Sequence, residues 1–357
     1  MAQTVLVTGG SGYVASHLID QLLAQSDLVH ATVRSLANKS KTEPLLAMEQ
    51  RYPGRLLLFE ADLLQPGSFD KAMAGCSVVY HVASPFLLPE KIEDGQRQML
   101  EPALSGTRNV LQSVNDTPSV SRVVLTSTVG AIFGDYIDVL SMPDKTLSAT
   151  YFNTTSTLKN NPYHYSKVMA EREAWQIAHS QNRWSLVTIN PGMILGPSLS
   201  PASESGSLFL LDEMMKGYFF YGMPDLSLTT VDVREVAFAH IRAAETPQAK
   251  GRYILAEKQM SSFLDIANIL RTIHPHPYLL PQHQVPDWVV RLVGPFFGLT
   301  QEYIRNHLGI RFAVDNRRSI NELGVVYRPI RQTLIDHYNS WAAQRSRKRG
   351  HKEGKEN

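Results

Sequence analysis

A tyrosine and a lysine four residues apart, Tyr163 and Lys167, stand in the stretch Asn161-Pro162-Tyr163-His164-Tyr165-Ser166-Lys167. If the stretch is helical, both side chains share one face, one turn apart. An ammonium beside a phenol favours the phenolate and lowers a pKa that is ordinarily about 10. A phenol tuned in that way can pass a proton to a carbonyl oxygen near neutral pH. Taken alone, the pair is more often a partly exposed helix face, because Tyr and Lys are common at helical spacing. To do chemistry it needs a hydride donor, a partner hydroxyl and a pocket.

The hydride donor has a signature at the start of the chain. A short apolar run, Gln3–Thr8, leads into Gly9-Gly10-Ser11-Gly12, and apolar residues at helical spacing follow over 13–23. The order is strand, glycine turn, helix. The turn reads Thr8-Gly9-x-x-Gly12-x-x-Ala15, in which small residues let the backbone approach a pyrophosphate and the helix N-terminus supplies N–H groups. In this setting Thr8, Gly9, Gly12, Tyr13 and Val14 are expected to hold a dinucleotide. The second strand, Leu28–Val33, ends at Arg34, where an NAD site usually places an acid, and Lys39 and Lys41 follow in what reads as a loop. Positive charge there suits the 2′-phosphate of NADPH.

The elements that would position these groups alternate. Strands are expected at Arg55–Ala61, Ser77–Val82, Arg122–Thr126 and Trp184–Asn190, with helices over 93–115 (kinked at Pro102) and 163–180. Their C-terminal ends bring Asp62, Leu63, Ala83 and Ser84 toward a cofactor, and Ser127 and Thr128 toward the tyrosine. This pattern predicts an α/β, Rossmann-type doubly wound parallel sheet. The texture changes after Pro197. Segments 198–225 and 257–343 are expected to form a smaller, discontinuous C-terminal substrate-binding region over a 1–197 dinucleotide domain. Residues near 226–256 return to the sheet as a strand at Leu226–Val233, a helix at Val236–Ala244 and a strand at Arg252–Ala256.

Composition bounds the remaining possibilities. The 357 residues are 43% hydrophobic and 19% charged, as in an ordinary soluble globular protein. The lone Cys76 excludes an internal disulfide and fits a reducing, cytoplasmic setting. The start reads as a strand and not a signal peptide, and no apolar run is long enough for a membrane span. Residues 345–357 hold six basic and two acidic side chains, a net +4 within an overall +2, so the rest of the chain is at −2. That leaves no basic surface for nucleic acid, and 344–357 is expected to be a disordered basic tail. No metal site is expected, and a monomer or homodimer is.

The glycine turn, the hydroxyls after the fifth strand and Tyr163-x-x-x-Lys167 occur in one order that resembles the extended (atypical) short-chain dehydrogenase/reductases over about residues 2–340. Val33-Arg34 with Lys41, Val82-Ala83-Ser84-Pro85, and Asn190-Pro191-Gly192-Met193-Ile194-Leu195-Gly196-Pro197 are similar to the dihydroflavonol 4-reductase-like branch of aldehyde and ketone reductases. The resemblance implies NADP(H) as cofactor and a small-molecule carbonyl substrate. It implies Tyr163 as general acid, Lys167 as its tuner and ribose ligand, Thr128 in place of the more usual serine, and Pro191 and Ile194 beside the nicotinamide. Ser84, Phe86 and 198–225 are substrate candidates by position. A nucleotide-sugar epimerase or dehydratase, a 3β-hydroxysteroid dehydrogenase-like enzyme and a non-catalytic dinucleotide sensor are the alternatives.

Overall fold

Seven short strands, apolar almost throughout, line up in one parallel sheet. In the computed structural model, which describes residues 3–85, 92–200 and 205–353 (347–353 as backbone alone), they are Thr4–Val7, Leu28–Val33, Leu56–Glu60, Val78–His81, Arg122–Thr126, Ser185–Pro191 and Gly251–Leu255. Across the sheet the order is seventh, sixth, fifth, fourth, first, second, third, and every neighbouring pair is parallel. Strands covered on both faces need no polar alternation, and Val78–His81 is buried at every position. The edge strand Leu56–Glu60 is less covered, and its burial is uneven. One face carries Leu18, Leu22, Val236 and Tyr253, and the other carries Phe69, Met73, Val110 and Trp184. A separate cluster holds Leu211, Met223, Phe263, Leu270 and Leu334, from the segments beyond strand six. Strand order reverses on either side of the first strand, which opens a crevice at the strands' C-terminal ends.

Several elements differ from expectation for local reasons. Leu226–Val233 is two strands. Ser227–Leu228 pairs antiparallel with Ser261–Ser262, and Thr230–Asp232 pairs parallel with Met193–Leu195. Between them the Thr229 carbonyl accepts the Met193 N–H at 2.6 Å, and the chain passes so close to Gly192 that a Cβ there would lie 2.5 Å from that carbonyl. The 93–115 helix begins as a π-helix, Gln96–Leu100, and continues as an α-helix, Glu101–Asp116. Pro102 sits where the π-helical turn passes into the α-helix, at its second residue. Lys39 and Lys41 are not in a loop but open the helix Lys39–Arg51, whose buried stripe of Thr42, Leu45 and Met48 is narrow and interrupted by Pro44. The C-terminal helix runs unbroken over Ile330–Glu353, so 344–353 is helical where disorder is expected, and 354–357 lie outside the described residues.

The helix Pro162–His179 is positioned from both ends of its inner face. Asn161 caps it, its side-chain oxygen accepting the His164 N–H at 3.0 Å, and Pro162 takes the first helical position. Deeper in, Glu171 meets Arg252 of the seventh strand, Nε to Oε1 2.5 Å, with side chains 0% and 7% exposed. Arg252 uses all five of its N–H groups: two on Glu171 and three on the carbonyls of Ala149, Tyr151 and Ala131. Its guanidinium also lies 3.9 Å from the Phe152 ring centroid. Removing one partner of such a pair strands a buried charge. Arg252→Met is therefore expected to cost about 3–5 kcal/mol of stability, read as a lower urea midpoint.

Candidate active site

A cleft of about 910 Å³ follows the crevice from the glycine turn to the tyrosine. At its first end Gly9 has φ +70°, which favours glycine, and a Cβ there would lie 3.0 Å from that of Ala83. Gly12 is the N-cap of helix Tyr13–Ala24 and offers no side-chain cap, so the first N–H groups of the helix are left for a ligand. Uncapped helix N–H groups beside glycines suit a pyrophosphate. Val14, Arg34, Lys41, Asp62, Leu63, Ala83 and Ser84 line the same run of the cleft.

Thr8 does not line it. The Thr8 hydroxyl is buried and accepts the N–H groups of Val82 and Ala83 at 3.1 and 3.0 Å, and pairs with His81 Nδ1 at 3.0 Å. It ties the first strand to the end of the fourth. Tyr13 lines the cleft, but its hydroxyl donates to the Gly196 carbonyl at 2.8 Å, and His17 Nε2 reaches the Pro197 carbonyl at the same distance. Together they clasp the segment after the sixth strand to the first helix. Asp62 folds on itself, its carboxylate accepting the Leu64 N–H at 2.8 Å. An acid does stand near Arg34, Glu60 at the end of strand three, but its carboxylate accepts the Leu36 N–H at 2.7 Å. Sequence spacing gave no sign of it, because the contact spans two strands.

At the other end Thr128, Tyr163, Lys167, Pro191 and Ile194 converge on the cleft. The two hydroxyls after strand five part company. Ser127 is buried and donates to Glu171, whereas Thr128 is partly exposed, its Oγ1 accepting the Gly130 N–H at 3.2 Å. Lys167 Nζ donates to Ser84 Oγ at 3.2 Å and to the Thr126 carbonyl at 3.4 Å. Burial pulls the Lys167 ammonium down to about 8, with Glu171 holding it up against that pull. Burial also pushes the Tyr163 phenol above its ordinary value. The expected lowering of Tyr163 is thus not present in the protein alone, where desolvation is the dominant influence.

Other lining groups carried no sequence signal. His164, next to Tyr163, bonds the Gly134 carbonyl at 3.2 Å and is pushed by burial to about 4, so it is neutral. Its ring packs where a side chain on Gly130 would stand. Phe133, Tyr136, Met193 and Leu228 give this end an apolar wall, and Tyr136 is fixed by a 2.6 Å bond to the Ser227 carbonyl. Ser205 and Ser207 come from the 198–225 segment. Phe86 and residues 201–204 lie outside the described residues. No described helix is long and apolar enough to cross a membrane.

Residues 5–256 match the model of the NAD dependent epimerase/dehydratase family. Cinnamoyl-CoA reductase CAD2 of Medicago truncatula is 37% identical over 277 residues, 77% of this chain and 82% of that protein. Cinnamoyl-CoA reductase 1 of Petunia hybrida is 33% identical over 336 residues, 94% and 90%. Gre2 of Candida albicans, solved with NADPH, superposes with a TM-score of 0.77 at 28% identity, over 96% of this chain and 99% of that one. The parallel sheet, the uncapped glycine turn and these likenesses agree: the chain belongs to the NAD dependent epimerase/dehydratase family, the extended short-chain dehydrogenase/reductases, and is an oxidoreductase.

Proposed function

We propose that the protein reduces an aldehyde or ketone to an alcohol with NADPH. The observation that carries this reading is the convergence of Thr128, Tyr163 and Lys167 on a cleft whose far end is an uncapped, glycine-turned helix N-terminus. When bound, the dinucleotide supplies hydride to the carbonyl carbon. Thr128 orients the carbonyl oxygen by a hydrogen bond, and Tyr163 donates the proton to it. Lys167 holds the ribose and, as a cation beside the phenol, offsets the burial that raises Tyr163. The apolar wall of Phe133, Tyr136, Met193 and Leu228 favours a carbonyl with an apolar substituent. Relatives named as cinnamoyl-CoA reductases and a neighbour solved with NADPH support the reading. An NADPH-oxidation screen over aromatic aldehydes, α-ketoaldehydes, flavanonols, CoA thioesters and UDP-sugars tests it, and activity confined to UDP-sugars would overturn it.

Tyr163→Phe deletes only the acidic hydroxyl. It is expected to lower turnover by about 10²–10⁴-fold while NADPH binding is nearly unchanged, read by kcat and by cofactor fluorescence. Near wild-type turnover would remove Tyr163 from the mechanism. Thr128→Ser should keep activity and Thr128→Val lose most of it. With the Lys167 ammonium at about 8, its proton is present at neutral pH and lost above, so kcat should fall on the alkaline side of that value.

Cofactor choice turns on Arg34 and Lys41. Arg34 directly follows strand two, and Lys41, in the first turn of helix Lys39–Arg51, lines the same cleft. A planar guanidinium meets a phosphate with two parallel donors. Charge-assisted bonds are worth roughly 1.5–3 kcal/mol each, so two such contacts give on the order of a hundredfold preference for NADPH, reduced by exposure and by salt. Arg34→Asp should reverse the ratio of kcat/KM for NADPH over NADH. An unchanged ratio would show that Arg34 does not read the 2′-phosphate.

A further inference from the structure

Behind the reactive end, three elements meet at one buried carboxylate. Glu171 lies one turn beyond Lys167 on the same helix, is 1% exposed, and does not line the cleft. Its Oε2 accepts from Ser127 Oγ, from Asn190 Nδ2 at 2.8 Å and from Arg252 Nη2 at 3.3 Å. Its Oε1 accepts from Arg252 Nε at 2.5 Å, and from Thr188 Oγ1 and Trp175 Nε1, both at 3.3 Å. Asn190 Nδ2 also donates to the Thr128 carbonyl at 3.1 Å, and the Ser127 N–H donates to the Ile189 carbonyl at 2.7 Å. Thr128, whose side chain faces the cleft, is therefore held from the preceding residue and through its own carbonyl, and both holds end on Glu171. A small void of about 20 Å³ is lined by both Glu171 and Lys167, with His81, Ser84, Thr107 and Ser127 among apolar neighbours such as Leu63, Ala103 and Leu125.

We propose that Glu171 is a positioning residue for the reduction. From behind the cleft it fixes Thr128 through Ser127 and Asn190, and it steadies the charge of Lys167, without touching the substrate. The inference rests on the roles given to Tyr163, Thr128 and Lys167 above. The chemistry calls for a carboxylate at this point. Six donors converge on it, and only a group with two acceptor oxygens and no hydrogens serves them all. An amide would turn an NH₂ toward donors on one side. Among the described residues, the groups facing Lys167 are Glu171 and Tyr163 on its own helix, His81 on strand four, held neutral by burial with its pKa near 3, and the Ser84 hydroxyl and Thr126 carbonyl. Behind Glu171 stands Arg252. Without the carboxylate, Lys167 would lose the negative charge that holds its proton against burial and would release it at lower pH.

Kinetics of NADPH-dependent carbonyl reduction across pH, on Glu171→Gln, Ser127→Ala and Tyr163→Phe, test this. Glu171→Gln is expected to lose about 10²-fold in kcat, the scale of a misplaced catalytic group, and to move the alkaline limb of its pH profile to lower pH. A purely structural role would lower the fraction of folded enzyme and leave the limb in place, so an unmoved limb in folded Glu171→Gln overturns the proposal. If Glu171→Gln does not fold, because Arg252 loses its counter-charge, Ser127→Ala decides. It keeps the ion pair and the Thr128 hydroxyl. A loss of roughly tenfold in kcat with unchanged NADPH affinity supports the proposal, and wild-type kcat overturns it. Full turnover in Tyr163→Phe would instead overturn the reading on which the proposal stands, whatever the other variants do.

Discussion

The contact between Glu171 and Arg252 is the constraint on which the rest of the architecture depends. A buried ion pair is a poor source of stability, since removing two charges from water offsets most of their attraction. It is a good source of definition, because only one arrangement satisfies six donors on the acid and five on the base. That arrangement joins the Tyr163 helix, the ends of strands five and six, strand seven and the 149–152 segment. An apolar plug would hold these together as firmly, yet it would tolerate small slips along the sheet. Catalytic geometry does not tolerate them.

The same neighbourhood keeps a lysine charged where water is scarce. Burial lowers Lys167, and the carboxylate one turn away raises it, so it stays a cation at neutral pH while remaining easy to deprotonate. The phenol beside it is pushed the other way by the same burial. An enclosed site thus drives its lysine and tyrosine apart in proton affinity, and the lysine is the first of the two to release its proton as pH rises.

Much of this was legible in the sequence because it is local. The glycine turn sits between a strand and a helix that each announce themselves by periodicity, and the tyrosine helix carries its own cap in Asn161-Pro162. The sheet followed from alternation. What could not be read is what arises between elements. The Thr8 hydroxyl belongs to the sheet and not the cleft, because the fourth strand ends opposite it. The helix at Lys39–Arg51 was obscured by Pro44 and a thin apolar stripe. The apolar wall of Tyr136, Met193 and Leu228 is assembled from segments far apart in the chain, and no spacing rule links them. The expected depression of the tyrosine assumed a solvated pair, and enclosure reversed its direction.

The clasp between the first helix and the segment after strand six has a further meaning. Tyr13 and His17 are synthesised well before their partners, Gly196 and Pro197, which follow some 180 positions later. Until then the glycine turn has its shape but no roof. Strand one likewise lies at the middle of the sheet and must wait for strand four before it is enclosed on both edges. The first helix and its glycine turn are thus completed only when chain some 180 positions further on has been made. Any truncation before Gly196 leaves the turn unroofed.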